Sequence, residues 1–205
     1  MNKAKSQEFN RIARDVFAPI YPIIASQIVD RAGIKNGVCV DLGSGPAHLA
    51  IAVTKITGLT TYAVDSSEEM YAIAGKNIQS EGLSGRIKPI ISDVNSMPFC
   101  DGSIDLIVSR GSFFFWEDLT AAFKEVYRVL KPGGKTYIGG GFGSPELKSK
   151  IAEQMRAVDE NWEKGVEKRW KLCSAENFME ILSNAGISQY DIIDDDSGFW
   201  IMIKK

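Results

Sequence analysis

Residues 40 to 50, VDLGSGPAHLA, join an apolar run to a helix-like segment through Gly43 and Gly45. Glycines at that spacing let a backbone turn tightly and approach a ligand where a Cβ would clash. The chemistry this suggests is the binding of a nucleotide-like cofactor. The familiar dinucleotide fingerprint is G-x-G-x-x-G, but here the third place holds His48. The site is therefore a damaged dinucleotide site or one for a ligand without a pyrophosphate. Asp65 follows Gly45 by 20 residues. A carboxylate there can accept hydrogen bonds from both ribose hydroxyls, a feature a dinucleotide site shares. Asp93, in ISDVNSMPF, suits a hydrogen bond from an exocyclic adenine amino group. DLIVSRG brings Ser109 and Arg110 to the mouth of the same crevice.

The spacing of apolar residues says which elements must position these groups. Phe9, Ile12, Val16 and Phe17 recur at helical intervals, APIYP breaks the pattern, and IIASQIVDRAGI resumes it. Strands are expected at 38–42, 60–64, 86–91, 104–109 and 135–139, and helices at 46–57 and 118–130. Ser66 and Glu69 have capping-box spacing and open a further helix. KPGGK reads as a stop signal after the 118–130 helix. Residues 146–184 are mostly helical, and QYDIIDDD with GFWIMIKK forms a closing antiparallel hairpin. Alternating strands and helices imply an α/β fold, with a mostly parallel sheet covered on both faces. Its ligand lies outside the C-terminal strand ends, at the switch point beside the first strand. One domain is expected over 1–205: a helical cap at 1–35, a cofactor-binding core at 36–143, a helical insertion at 144–185 and the hairpin at 186–205.

Composition narrows the class. The chain has 205 residues, 44% of them hydrophobic, and a net charge of −2, which does not suit a nucleic-acid binder. No apolar run approaches the roughly 20 residues of a membrane span, and MNKAKSQEFNRIARD lacks a signal peptide's apolar core. Cys39, Cys100 and Cys173 form neither a zinc spacing nor a disulfide framework. A cytoplasmic protein without a metal, a nucleic-acid partner or a membrane partner is expected. Oligomeric state is not legible.

The ordered set of the glycine turn, Asp65, Asp93, DLIVSRG and VLKPGGKTYIGGG closely resembles class I S-adenosylmethionine-dependent methyltransferases. The nearest group is the small-molecule type that includes the ubiquinone- and menaquinone-biosynthesis enzymes. The likeness covers about residues 35–143 and the final hairpin. It implies a Rossmann-like seven-stranded sheet with one antiparallel strand, and S-adenosyl-L-methionine as cofactor, with S-adenosyl-L-homocysteine as product. By resemblance, Asp41, Gly43, Ser44 and Gly45 line the methionine and ribose side of that cofactor. Asp65 holds the ribose, Ser66 and Met70 border the adenine, and Asp93 with Val94 addresses its polar edge. This cofactor has no pyrophosphate, so His48 is tolerable at the third place.

The same likeness puts the methyl acceptor beside SRGSFFFWED, where Phe113, Phe115 and Trp116 wall a pocket or else anchor a helix. Arg110 clamps a substrate carboxylate or makes a surface ion pair. Ser109 and, from the cap, Tyr21 are placed against the cofactor. GGGFG admits a substrate closely or simply gives a flexible connection. His48, the only histidine, reads as structural rather than catalytic, and no catalytic residue is named. The expected activity is methyl transfer to a small acceptor by proximity and alignment. A non-catalytic cofactor-binding protein stays open as an alternative. A nicotinamide-dependent reductase is disfavoured by the missing third glycine and by the absence of a Tyr-x-x-x-Lys pair.

Overall fold

The computed structural model describes residues 3–205. Two helices lead, α1 (Lys3–Asp15) and α2 (Ile20–Ala32). The break between them is shorter than APIYP suggests. Tyr21 and Pro22 lie in the first turn of α2, where a proline forfeits no hydrogen bond. Then come β1 (Asn36–Leu42), α3 (His48–Lys55), β2 (Gly58–Asp65), α4 (Glu68–Ser80), β3 (Ile87–Ile91) and β4 (Ile104–Arg110). A 3-10 turn at Phe113–Phe115 leads to α5 (Leu119–Val129) and β5 (Leu130–Gly140). Three helices follow, α6 (Pro145–Arg156), α7 (Trp162–Trp170) and α8 (Ala175–Asn184), and the chain closes with β6 (Tyr190–Asp195) and β7 (Gly198–Ile203).

The strand order is β3-β2-β1-β4-β5-β7-β6. Strands β1 to β5 pair in parallel, and β7 runs antiparallel to both β5 and β6. The order reverses between β1 and β4, the place where open α/β sheets hold ligands. This is a Rossmann-like, seven-stranded sheet with an antiparallel β7, as the resemblance implies. Pleating divides each central strand between two cores. Val40, Leu42 and Ile107 face α5 and α8 through Phe123, Val126, Phe178 and Leu182. Cys39, Leu106 and Val108 face α2, α3 and α6 through Ile24, Ile28, Val53 and Ile151. Both faces of β1 and β4 are thereby dry, and their only exit to solvent is at the strand ends.

Three boundaries differ from the expected ones. Helix α3 starts at His48, because Pro46 and Ala47 belong to the turn before it. The cap of α4 is Ser67 rather than Ser66, and its hydroxyl accepts the Met70 N–H while donating to Glu69. KPGG does not separate α5 from a later strand, since β5 already begins at Leu130. A Cβ on Gly134 would press on the Lys131 and Ile104 carbonyls, so the strand passes closely there.

Candidate active site

Strand β1 ends in a turn that the neighbouring strand holds from two points. Ser44 N–H donates to the Val64 carbonyl at 2.9 Å, and Gly45 N–H donates to Asp65 Oδ2 at 2.9 Å. The other carboxylate oxygen, Asp65 Oδ1, accepts Ser67 N–H at 3.0 Å. One side chain therefore fixes both the glycine turn and the start of α4. A carboxylate has about four acceptor positions, so two remain for further donors. The turn is also braced from α4, where Asn77 Nδ2 donates to Pro46 O at 2.9 Å.

Protein atoms also bear on the two glycines. Gly43 and Gly45 both have positive φ, 62° and 51°. A Cβ on Gly43 would strike the Ser112 hydroxyl, and one on Gly45 would touch the Phe9 ring. Protein atoms, then, are what crowd these positions. The turn holds a third left-handed residue, Ala47, at φ 67°. An L-residue there costs roughly 1–2 kcal/mol. Looking for a third glycine at His48 misses it by one residue.

Asp41 lies on the buried face of β1, and its Oδ2 accepts Ala50 N–H at 3.0 Å. It therefore caps α3 from inside. Burial pushes its pKa up to about 8, with Asp65 adding to the rise and the Ala50 N–H opposing it. Ser44 Oγ is buried without a hydrogen-bond partner. His48 stacks on Tyr21, with ring centroids 5.3 Å apart. Burial holds its pKa below the usual histidine value, so the ring is neutral near pH 7, and its Nε2 is buried without a partner. Tyr21 is raised by burial, with Arg110 opposing and Asp41 adding. Arg110 and Asp41 therefore both lie within electrostatic reach of Tyr21. Asp93 is exposed and accepts both the backbone and side-chain N–H groups of Asn95 at 2.7 and 2.9 Å. Ser66 is exposed, Val94 half-buried, and Met70 buried under the α4 cap.

Beyond β4 the aromatic run divides. Phe113 is fully buried against Phe178, 5.5 Å between centroids, so it anchors the core and is not a pocket wall. Phe115 is 73% exposed. Trp116 donates to Ser112 Oγ at 2.9 Å. Phe114, not singled out from sequence, packs with Trp170 over Gly140. Ser109 is buried and donates to Leu42 O at 2.7 Å, joining β4 to the end of β1 instead of facing a ligand. Ser112 accepts from Ser109 and Trp116, donates to Leu42 O, and covers Gly43. No local pattern marks Ser112 for this role, because the β1 end that it bonds and covers is about 70 residues away in sequence.

Arg110 makes no ion pair among the described residues. Its Nε donates to Gly141 O at 3.1 Å, and its guanidinium lies 5.1 Å from the Phe17 centroid and 5.5 Å from that of Phe142. The surface ion pair considered from sequence is absent. The GGG run is closely packed. Gly139 and Gly141 press on β7 and Trp200, while Phe114 and Trp170 cover Gly140. Cys39 is in the core, Cys100 is exposed, and burial pushes the Cys173 thiol up to about 12. Among the described residues no helix is by itself long and apolar enough to cross a membrane.

Comparison with known proteins gives the same picture. The family model described as a methyltransferase domain matches residues 40–138. A sterol 24-C-methyltransferase of Aspergillus fumigatus is 31% identical over 120 residues, covering 57% of this chain and 32% of that one. A ubiquinone/menaquinone biosynthesis C-methyltransferase of Marinomonas sp. is 25% identical over 74% of this chain and 65% of its own length. The chain thus spans about a third of the sterol enzyme it matches. A solved structure from Methanococcus maripaludis, described as a candidate S-adenosyl-L-methionine-dependent methyltransferase, superposes with a TM-score of 0.94. It is 47% identical, and the match covers 100% of this chain and 93% of that one. With that identity over the full chain, and with the strand order and glycine turn described above, the chain belongs to the class I S-adenosylmethionine-dependent methyltransferases.

Proposed function

We propose that the protein transfers a methyl group from S-adenosylmethionine to a small-molecule acceptor, chiefly by holding the two in line. The observation that carries this reading is the Asp65 carboxylate. It pins the glycine turn at the switch point and has acceptor capacity beyond those two bonds. The surrounding residues fit the cofactor. Asp65 would take the ribose hydroxyls, Asp93 and Val94 the adenine edge, and Ser44 with Tyr21 the methionine end. The unpartnered, buried Ser44 hydroxyl supports that last assignment. A sulfonium-bound methyl carbon is already electrophilic, so the bound cofactor supplies the activation.

What remains for the chain is alignment and exclusion of water. No carboxylate or charged histidine stands at the end of β4. Asp118 caps α5, with Ala121 N–H at 2.9 Å, and Glu117 is exposed. His48 is made less basic by burial. The reading therefore has no dedicated general base, which suits an acceptor already nucleophilic near neutral pH. Methyl-labelled cofactor incubated with a metabolite extract tests for turnover. A labelled small molecule is expected, whereas cofactor binding without any labelled product would favour a non-catalytic binding protein. Calorimetry is expected to show binding of S-adenosylhomocysteine and none of NADH, and the reverse pattern would sink the reading.

A further inference from the structure

Arg110 is a cation with no anion. It is half-buried at the end of β4, its guanidinium lies beside the Phe17 and Phe142 rings, and its hydrogen bond among the described residues goes to a backbone carbonyl. A guanidinium stays charged under all ordinary conditions, and a buried charge without a counter-ion is costly. The guanidinium of Arg169, on α7, adds to the positive potential at Arg110. Next to them is a cavity of about 190 Å³ between α6, α7 and the end of β5, walled by Phe142, Trp162 and Trp170. Phe142 belongs to both features, since one of its contacts is Arg110 and another is the cavity. A cavity of about 150 Å³ holds a benzene ring. Lys148, Glu163 and Glu167 form the polar rim, and Glu163 is neutralised by Arg156 at 2.9 Å.

We propose that the methyl acceptor carries a carboxylate and a ring, the carboxylate seated on Arg110 and the ring in the cavity of Phe142, Trp162 and Trp170. This rests on the methyltransferase reading above and adds the substrate class. An apolar cavity alone would accept many rings. The arginine without an ion-pair partner selects anionic ones, because a neutral ring would cover a partly desolvated charge without matching it. The methionine carboxylate of the cofactor has the same chemistry, so the test must separate the two sources.

The probes are benzoate and its neutral counterpart benzamide, titrated by calorimetry into protein saturated with S-adenosylhomocysteine. Benzoate is expected to bind at least tenfold more tightly than benzamide. Arg110→Met is expected to abolish that preference, with S-adenosylhomocysteine affinity within about twofold of the wild type. Trp170→Leu is expected to weaken both probes while preserving the preference. Where Arg110→Met does not fold, Arg110→Lys is read instead, and a preference reduced at least threefold is expected. Equal affinity for the two probes in the wild type, or binding of neither, overturns the proposal. So does a preference that survives at Arg110. Loss of S-adenosylhomocysteine affinity in the variant, with affinity for 5′-methylthioadenosine retained, also overturns it by assigning Arg110 to the cofactor's carboxylate. Failure of the wild type to bind S-adenosylhomocysteine at all is a different result, and it removes the underlying methyltransferase reading.

Discussion

Two carboxylates at the ends of adjacent strands divide the work of the site. Asp65 is tied to Gly45 and Ser67 and keeps lone pairs in reserve. Asp65→Ala is expected to raise the S-adenosylhomocysteine dissociation constant by about tenfold to a hundredfold, the equivalent of roughly 1.5–3 kcal/mol for bonds to a charged group. Calorimetry on a variant shown to be folded checks it, and unchanged affinity would remove Asp65 from the ribose site. Asp41 is different, being buried, and its pKa of about 8 stands well above the ordinary 3.8. The folded state therefore holds a proton that the unfolded state has released. The associated stability is complete below the unfolded value and is lost as pH rises through the folded one. The slope reaches at most about 1.4 kcal/mol per pH unit. Asp41→Asn keeps an acceptor for Ala50 N–H and cannot titrate. Urea unfolding of both proteins between about pH 5 and pH 9 is expected to show a pH-dependent fall in the wild type that the variant lacks; parallel curves would contradict the protonated Asp41. With an acceptor in hand, His48→Ala and Glu117→Gln are expected to keep kcat within about a hundredfold, the smallest loss typical of removing a general base.

At the scale of elements, short hydrophilic signals place the helices that carry the site. Asp118, Ser144 and Ser174 cap α5, α6 and α8 with their side chains. Asp118→Ala is expected to cost about 1 kcal/mol of stability, and Asp118→Asn close to nothing, because asparagine caps as well as aspartate does. Chemical denaturation checks the pair, and equal losses in both would mean that the carboxylate acts through something other than the cap. Such signals act within three or four residues. Ser66 and Glu69 have the right spacing for a cap, yet Ser67 takes the role, because Asp65 has claimed the Ser67 N–H and fixed where the helix begins. The aromatic run after β4 was ambiguous for a related reason. A 3-10 turn sends Phe113 inward, Phe114 toward Trp170 and Phe115 to solvent, and no two-residue alternation describes that.

The whole molecule is locked by β7, inserted between β5 and β6. Trp200, fully buried on that strand, stacks on Tyr137 at 4.4 Å and donates from its indole to Ser197. Gly139 and Gly141 have no side chains because Trp200 and the β7 backbone fill that space. Trp200→Ala is expected to destabilise the protein by about 3–5 kcal/mol, the usual range for a buried large aromatic, measured by urea unfolding. A loss under about 1 kcal/mol would show that β7 is not integral to the core.

The sequence by itself determined the strand and helix succession, the closing hairpin, and the acids that end β2 and follow β3. Those depend on periodicity and on turn and cap chemistry, which are properties of near neighbours along the chain. Only the tertiary structure decided that Ser112 covers Gly43, that Ser109 bonds Leu42 rather than a ligand, and that Ala47 is the strained residue of the turn. Only it brought Phe17 from the N-terminal segment and Phe142 from just beyond β5 onto Arg110, which makes no ion pair among the described residues. Such pairings are set by how the sheet and its covering helices pack, and a packed core joins residues whose separation in sequence has no periodic signature.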